Sequence, residues 1–234
     1  MRSVEIEIVR REAGAPGRLE RHRIDIDPVD TLLTVLDRLR ATTAPGLAFR
    51  GACRHGMCGE CGVRADGEGV LACVTRVDRV LGRRARLRVE PLRGLPVLRD
   101  LVVDRTSFFA SYREAKPWLE PLAEVPEREH LVAPSAVARQ RRAEECVMCG
   151  ICHAACPVVT RGGAFVGPAA LLKSFARAVD ERDAATSERL SWASTDQAAY
   201  RCHGAFACLD ACPKGLDPAD AIFELRRLAE KAPR

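Results

Sequence analysis

No stretch of this 234-residue chain strings together the ~18 apolar residues that a membrane-crossing helix needs, so nothing in it is expected to span a bilayer. The longest uncharged run, Cys146 to Thr160, is broken by Pro157. No secretory leader is expected: Met1-Arg2-Ser3-Val4-Glu5 runs straight into alternating charged and apolar residues. Lysine is scarce, four among the 37 basic residues, an imbalance read as genome composition rather than chemistry. The net charge of +5 is mild and both signs are interspersed, which describes a solvated surface and not a nucleic-acid patch. There is no phosphate-binding loop, no dinucleotide glycine fingerprint and no Ser/His/Asp arrangement. Hydrophobic content of 47% and charged content of 29% are those of an ordinary globular chain, long enough for one or two cores.

What the chain has in quantity is cysteine, eleven residues. Without a leader, that number points to metal rather than disulfides. Cys146, Cys149, Cys152 and Cys156-Pro157 are spaced Cys-x2-Cys-x2-Cys-x3-Cys-Pro, the run that holds cubane iron–sulfur clusters, whose fourth cysteine serves a different cluster. Cys202, Cys208 and Cys212-Pro213 repeat it, with Ala205 where the middle cysteine belongs. The crossed pattern assigns Cys146, Cys149, Cys152 and Cys212 to a 4Fe–4S cluster. It leaves Cys156, Cys202 and Cys208 for a second site, and because alanine cannot ligate iron that cluster is expected to be 3Fe–4S. Zinc is the alternative, but it wants paired sets with four ligands per ion, which seven crossed cysteines with one gap fit poorly.

The first half reads as strand, hairpin, helix, long loop and strand, the order of a β-grasp sheet. Val4, Ile6 and Ile8 alternate with Glu5 and Glu7, Gly14 to Gly17 signals a turn, and Arg23 to Ile26 alternates again. Asp30 precedes a helical stripe of Leu32, Leu33, Val35, Leu36 and Leu39, and Arg86 to Glu90 forms a late strand. The long loop carries Cys53, Cys58, Cys61 and Cys73, spaced Cys-x4-Cys-x2-Cys-x11-Cys, as in plant-type 2Fe–2S ferredoxins. Gly51, Gly56, Gly59 and Gly62 interleave them and permit the close backbone turns of a cluster loop. Three sites of four, four and three thiols use all eleven cysteines.

The second half is expected to be helical from Val97 onward, with Trp118 as a packing residue in a linker and residues 120–135 as a proline-rich strap. Ala136 to Glu145 leads helically into the first cubane loop, Gly167-Pro168 starts a helix with Leu171, Leu172, Phe175 and Val179 on one side, and Asp217-Pro218 starts another lined by Ile222, Leu225 and Leu228. The fold class is therefore α+β: a β-grasp 2Fe–2S ferredoxin-like domain over residues 1–96, then an all-α two-cluster ferredoxin domain over residues 97–234. His55 and His153 sit inside ligand loops, and His203 follows a ligand, with structural hydrogen bonding and acceptor binding both open to it.

Three different clusters in one chain make a wire, with a donor docked at one end and an acceptor at the other. The order 2Fe–2S, 4Fe–4S, 3Fe–4S resembles the iron–sulfur subunit of succinate dehydrogenase and fumarate reductase. The resemblance runs through Cys53-Arg54-His55-Gly56-Met57-Cys58-Gly59, Leu71-Ala72-Cys73, Pro96 to Leu101, Cys149-Gly150 to Cys156-Pro157, Gly167-Pro168-Ala169, Arg201-Cys202-His203 and Cys212-Pro213-Lys214-Gly215. It implies a subunit of succinate:quinone oxidoreductase, a flavoprotein partner with covalent FAD, a membrane anchor subunit, quinone beside the last cluster, and a peripheral place on the cytoplasmic face of the cell membrane. Pro157, His203 and Arg226 are the implied acceptor-site residues. Two departures stand out: Val158 to Gly163 holds no tryptophan where many members use one near quinone, and Ala52 replaces a common serine. A soluble or thiol-dependent fumarate reductase subunit is the other electron-transfer reading, and a zinc-stabilised interaction module the remaining one.

Overall fold

The computed structural model describes residues 2–124 and 126–232, leaving Val125 of the strap and the side chain of Arg142 outside the description. Two compact units divide it: Met1–Arg105 with Val147–Ala154, and Thr106–Cys146 with Ala155–Arg234. The sequence puts the change after residue 96, whereas residues 97–105 and the returning segment 147–154 lie with the first unit.

In the first unit, β1 (Arg2–Arg10) and β2 (Arg18–Ile26) form an antiparallel hairpin, longer than the alternation at 23–26 foretells. Helix α1 (Leu32–Ala41) follows, then β3 (Gly62–Ala65), β4 (Glu68–Leu71), the short α2 (Val77–Leu81) and β5 (Arg86–Glu90). β5 lies parallel to β1 and antiparallel to β3, giving the order β2-β1-β5-β3-β4. Val4, Ile6, Ile8, Leu87 and Val89 are buried, as are Leu32, Leu33, Val35, Leu36 and Leu39 of α1, each such side chain worth about 1.5–3 kcal/mol on leaving water. Thr31, not Asp30, caps α1, its Oγ1 accepting from the Thr34 amide at 3.2 Å. Asp30 instead accepts from the Asp27 amide at 2.8 Å and from Arg38 at 2.6 Å.

Glu7 alternates with the apolar side chains of β1 yet is only 2% exposed, held by Arg21 at 3.0 Å and Arg88 at 3.2 Å. Residues 97–104 are not helical. They form a hairpin of β6 (Val97–Arg99) and β7 (Val102–Val103) that turns at Asp100, φ +47°. The buried Asp100 carboxylate accepts from Arg10 Nε at 2.9 Å and from the amides of Arg11 at 3.0 Å and Ala48 at 2.9 Å, and these bonds hold the turn.

The second unit is helical: α3 (Thr106–Glu114), α4 (Pro134–Glu144), the shared α5 (Ile151–Ala155), α6 (Pro157–Thr160), α7 (Pro168–Ala178), α8 (Thr186–Ala193), α9 (Ala207–Asp210) and α10 (Pro218–Lys231). α7 is the hub, touching α3, α4, α8 and α10, and it is buried on nearly every side rather than on one stripe. Asp217 caps α10 by accepting from the Asp220 amide at 2.9 Å. Trp118 is not a core residue: it is 46% exposed and its Nε1–H donates to Glu120 at 2.6 Å. Among the described residues, no helix is long and apolar enough to cross a membrane.

Candidate metal centres

The loop between α1 and β3, with the turn after β4, gathers Cys53, Cys58, Cys61 and Cys73. The Cys53 sulfur accepts from the amides of His55 at 3.4 Å, Met57 at 3.3 Å and Cys58 at 3.3 Å. The Gly56 amide donates to Cys73 Sγ at 3.2 Å, and the Cys73 amide to Cys61 Sγ at 3.5 Å. These amides favour sulfur as thiolate, and those of His55 and Met57 lead in drawing the Cys53 thiol down to about 6. Cys61 goes the other way, to about 12, because burial opposes its charge and Cys73 and Cys58 crowd it. Thiols that influence one another this strongly cannot all ionise without cations among them, and a metal cluster held here would supply that charge.

The second-unit site joins Cys156, Cys202 and Cys208. Cys208 is pushed up to about 12 by burial and then by Cys202 and Cys156. The three border a small cavity of about 20 Å³ that Pro157, His203, Ala205 and Phe206 also line. Both repeats turn the chain in one way. Met148 (φ +51°) and Gly150 (φ +78°) flank Cys149, as Gly204 (φ +68°) and Phe206 (φ +54°) flank Ala205. The second loop thus turns as the first does, with Ala205 in place of Cys149 and Phe206 in a conformation that ordinarily calls for glycine. Arg226 donates to the carbonyl oxygens of Ala199 at 3.0 Å and Cys202 at 2.6 Å, and lies 5.4 Å over Tyr200 and 5.3 Å over Phe223. Its hydrogen bonds therefore hold the backbone of a candidate ligand, while His203 is exposed at the cavity mouth.

Of the remaining four cysteines, Cys149 and Cys152 are buried in the first unit, and Cys146 and Cys212 are half-buried in the second. The Leu216 amide donates to Cys212 Sγ at 3.4 Å. His153 is buried, which lowers its imidazole to about 4 and keeps it neutral near pH 7. Sequence reasoning missed two cations near these sulfurs. Lys173, lowered by burial against the opposing pull of Cys146, donates to the Glu144 carbonyl at 3.2 Å. Arg105 is 6% exposed and donates to Glu60 at 3.1 Å and to the Met148 carbonyl. Neither lies near a cysteine in sequence, so no spacing rule reaches them.

Residues 5–110 match the family described as a 2Fe-2S iron-sulfur cluster binding domain, and residues 142–216 that described as a 4Fe-4S dicluster domain. A succinate dehydrogenase iron-sulfur subunit of Paracoccus denitrificans is 35% identical over 93% of this chain and 83% of its own. One from Coxiella burnetii is 37% identical over 83% of this chain and 82% of its own. The chain belongs to the family of succinate dehydrogenase iron–sulfur subunits. As a member of that family it is an electron-transfer subunit of an oxidoreductase complex, with a 2Fe–2S domain followed by a 4Fe–4S dicluster domain. The fold agrees: a chain from the Mycobacterium smegmatis Sdh1 complex in the apo form superposes with a TM-score of 0.89 at 24% identity, covering 97% of this chain and 95% of that one. A hypothetical protein from Helicobacter pylori shares the fold at a TM-score of 0.62 and 12% identity, with 40% of that chain covered.

Proposed function

We propose that this subunit carries electrons between the FAD of a flavoprotein subunit and quinone at a membrane anchor, as part of a succinate:quinone oxidoreductase. The observation that carries this is the grouping of thiols into one set of four, Cys53, Cys58, Cys61 and Cys73, and a separate set of three, Cys156, Cys202 and Cys208, beside an alanine in a cubane loop. The first set would hold 2Fe–2S and the second 3Fe–4S. Cys146, Cys149, Cys152 and Cys212 would hold 4Fe–4S on the strength of their spacing. When bound, the clusters supply one-electron carriers at fixed positions. The protein's own part is to bury Cys61, Cys73, Cys149, Cys152, Cys156 and Cys208 and to aim amides at Cys53, Cys61, Cys73 and Cys212, which would set how strongly each site favours reduction.

Pro157 and His203, which line the same cavity as the 3Fe–4S candidate cysteines, would meet quinone. Arg226 would act behind them by fixing the Cys202 carbonyl. Val158 to Gly163 offers no tryptophan, so quinone would be held by a different set of contacts. Residence at the cytoplasmic face of the membrane would follow from docking to the anchor. Purified complex should contain iron and acid-labile sulfide for one cluster of each type, and should reduce quinone with succinate. Ala205→Cys should replace the 3Fe–4S signal in low-temperature EPR of the oxidised protein with 4Fe–4S character, and Cys212→Ser should damage the 4Fe–4S signal. Zinc in place of iron and sulfide would sink the assignment, as would an EPR spectrum that Ala205→Cys leaves unchanged.

A further inference from the structure

Inside the first unit, the segment Val147–Ala154 lies directly on the 2Fe–2S loop. A Cβ added to Gly59 would stand 2.8 Å from Cys149 Cα and 2.9 Å from Cys149 N, and one added to Gly62 would stand 3.1 Å from the Cys149 carbonyl oxygen. The two ligand loops therefore meet backbone to backbone, and only glycine at 59 allows it. Arg105 closes this junction from one side. Its guanidinium donates to Glu60, which sits between Cys58 and Cys61, and to the carbonyl of Met148, which precedes Cys149. Arg105, Arg50, Glu60, Gly62 and Cys149 border one small enclosed cavity. Met148 is left-handed at φ +51°, a conformation that persists only where neighbours hold it, and Arg105 grips its carbonyl.

We propose that Arg105 is a positioning residue for electron transfer, tying the 2Fe–2S loop to the first cubane loop and placing one fixed positive charge beside a ligand of each. An arriving electron adds negative charge at either centre, so a buried cation at their junction favours the reduced form of both. The guanidinium suits the task because its planar fork reaches two acceptors and it stays charged. Nearly complete burial of the side chain keeps solvent from screening that charge. This inference rests on the cluster assignment above, and its test is separable from it.

The test is an EPR-monitored redox titration of the complex purified with its partner subunits, alongside iron and sulfide analysis. Arg105→Gln should lower the one-electron reduction constants of the 2Fe–2S and 4Fe–4S centres by about tenfold, or about 59 mV. The 3Fe–4S centre serves as the internal control. Arg105→Lys, which keeps the charge and loses the fork, should stay within about twofold of wild type, or about 18 mV on the same scale, while amide exchange in the Met148–Gly150 loop quickens. A residue that served only as structural glue would alter stability and exchange but not potential. Arg105→Gln with full iron and sulfide and both potentials within twofold of wild type overturns the proposal. Should Arg105→Gln lose its clusters, Glu60→Gln decides. It removes the counter-charge and should raise the 2Fe–2S constant at least twofold, and no rise overturns the proposal. Wild-type complex lacking iron and sulfide would instead fail the cluster assignment itself.

Discussion

Arg189 and Asp183 form a fully buried ion pair, at 2.9 Å through Nε and 2.8 Å through the second nitrogen. Desolvating two charges is costly, yet both are saturated. Asp183 also accepts from the amides of Glu120 at 3.1 Å and Ala185 at 2.9 Å, and Arg189 donates to the carbonyls of Trp118 at 2.9 Å, Ala115 and Lys116. The pair staples the 115–120 connection to α8, which is why Trp118 can stay exposed while its carbonyl is pinned. Arg189→Met should cost about 3–5 kcal/mol in chemical denaturation, because it strands a buried carboxylate. The double variant Arg189→Met with Asp183→Leu should recover most of that loss. The stapling was not readable beforehand: Asp183 and Arg189 are six residues apart, but the 115–120 backbone they hold lies 63–74 residues away, and neither stands in a motif.

Among the elements, the cysteine-bearing loops were legible as loops and several strands were not. Cys-x4-Cys-x2-Cys and Cys-x2-Cys-x2-Cys-x3-Cys-Pro are local patterns, so spacing alone groups most of their sulfurs. The β3–β4 hairpin also left a signal, Asp66-Gly67 between Val63 and Val70, with φ of +48° and +93° at the turn, but it was hidden inside what reads as one long ligand loop. The hairpin at 97–103 misleads because Val97 and Leu101, or Leu98 and Val102, mimic helical spacing, while the feature that decides it is the distant set of donors to Asp100. Gly59 marks the limit of local reading. Its φ of +71° suits a cluster loop, yet its second reason, contact with Cys149, is non-local. Gly59→Ala should cost at least about 1–2 kcal/mol for the left-handed conformation alone. It should also drive the loops apart, seen as a lower melting temperature and lost iron.

At the scale of the whole molecule, acid should loosen the fold at identifiable carboxylates. Burial raises the Glu7 carboxyl, but bonds to Arg21 and Arg88 and the charge of Arg86 outweigh it and hold it below its usual 4.5. Asp180 likewise stays below its usual 3.8: burial opposes, and Arg182 and Arg177 prevail. A lowered folded-state pKa gives stability that is present above the unfolded value and lost as pH falls through the folded one. Unfolding free energy should therefore drop as pH falls below about 4.5, and Glu7→Gln, less stable at neutral pH, should show a flatter fall in urea titrations at stepped pH. The first unit has one more property, which follows from its being built of two separated pieces of chain. Residues 1–105 emerge from the ribosome without the strip that covers Gly59 and Gly69, and that strip ends only at Ala154. At about 5–20 residues per second the wait is roughly 2–10 s. Throughout that interval the nascent ferredoxin-like half offers an uncovered seam beside its thiols, so the period of greatest exposure to oxidants and to misplaced metal falls during translation.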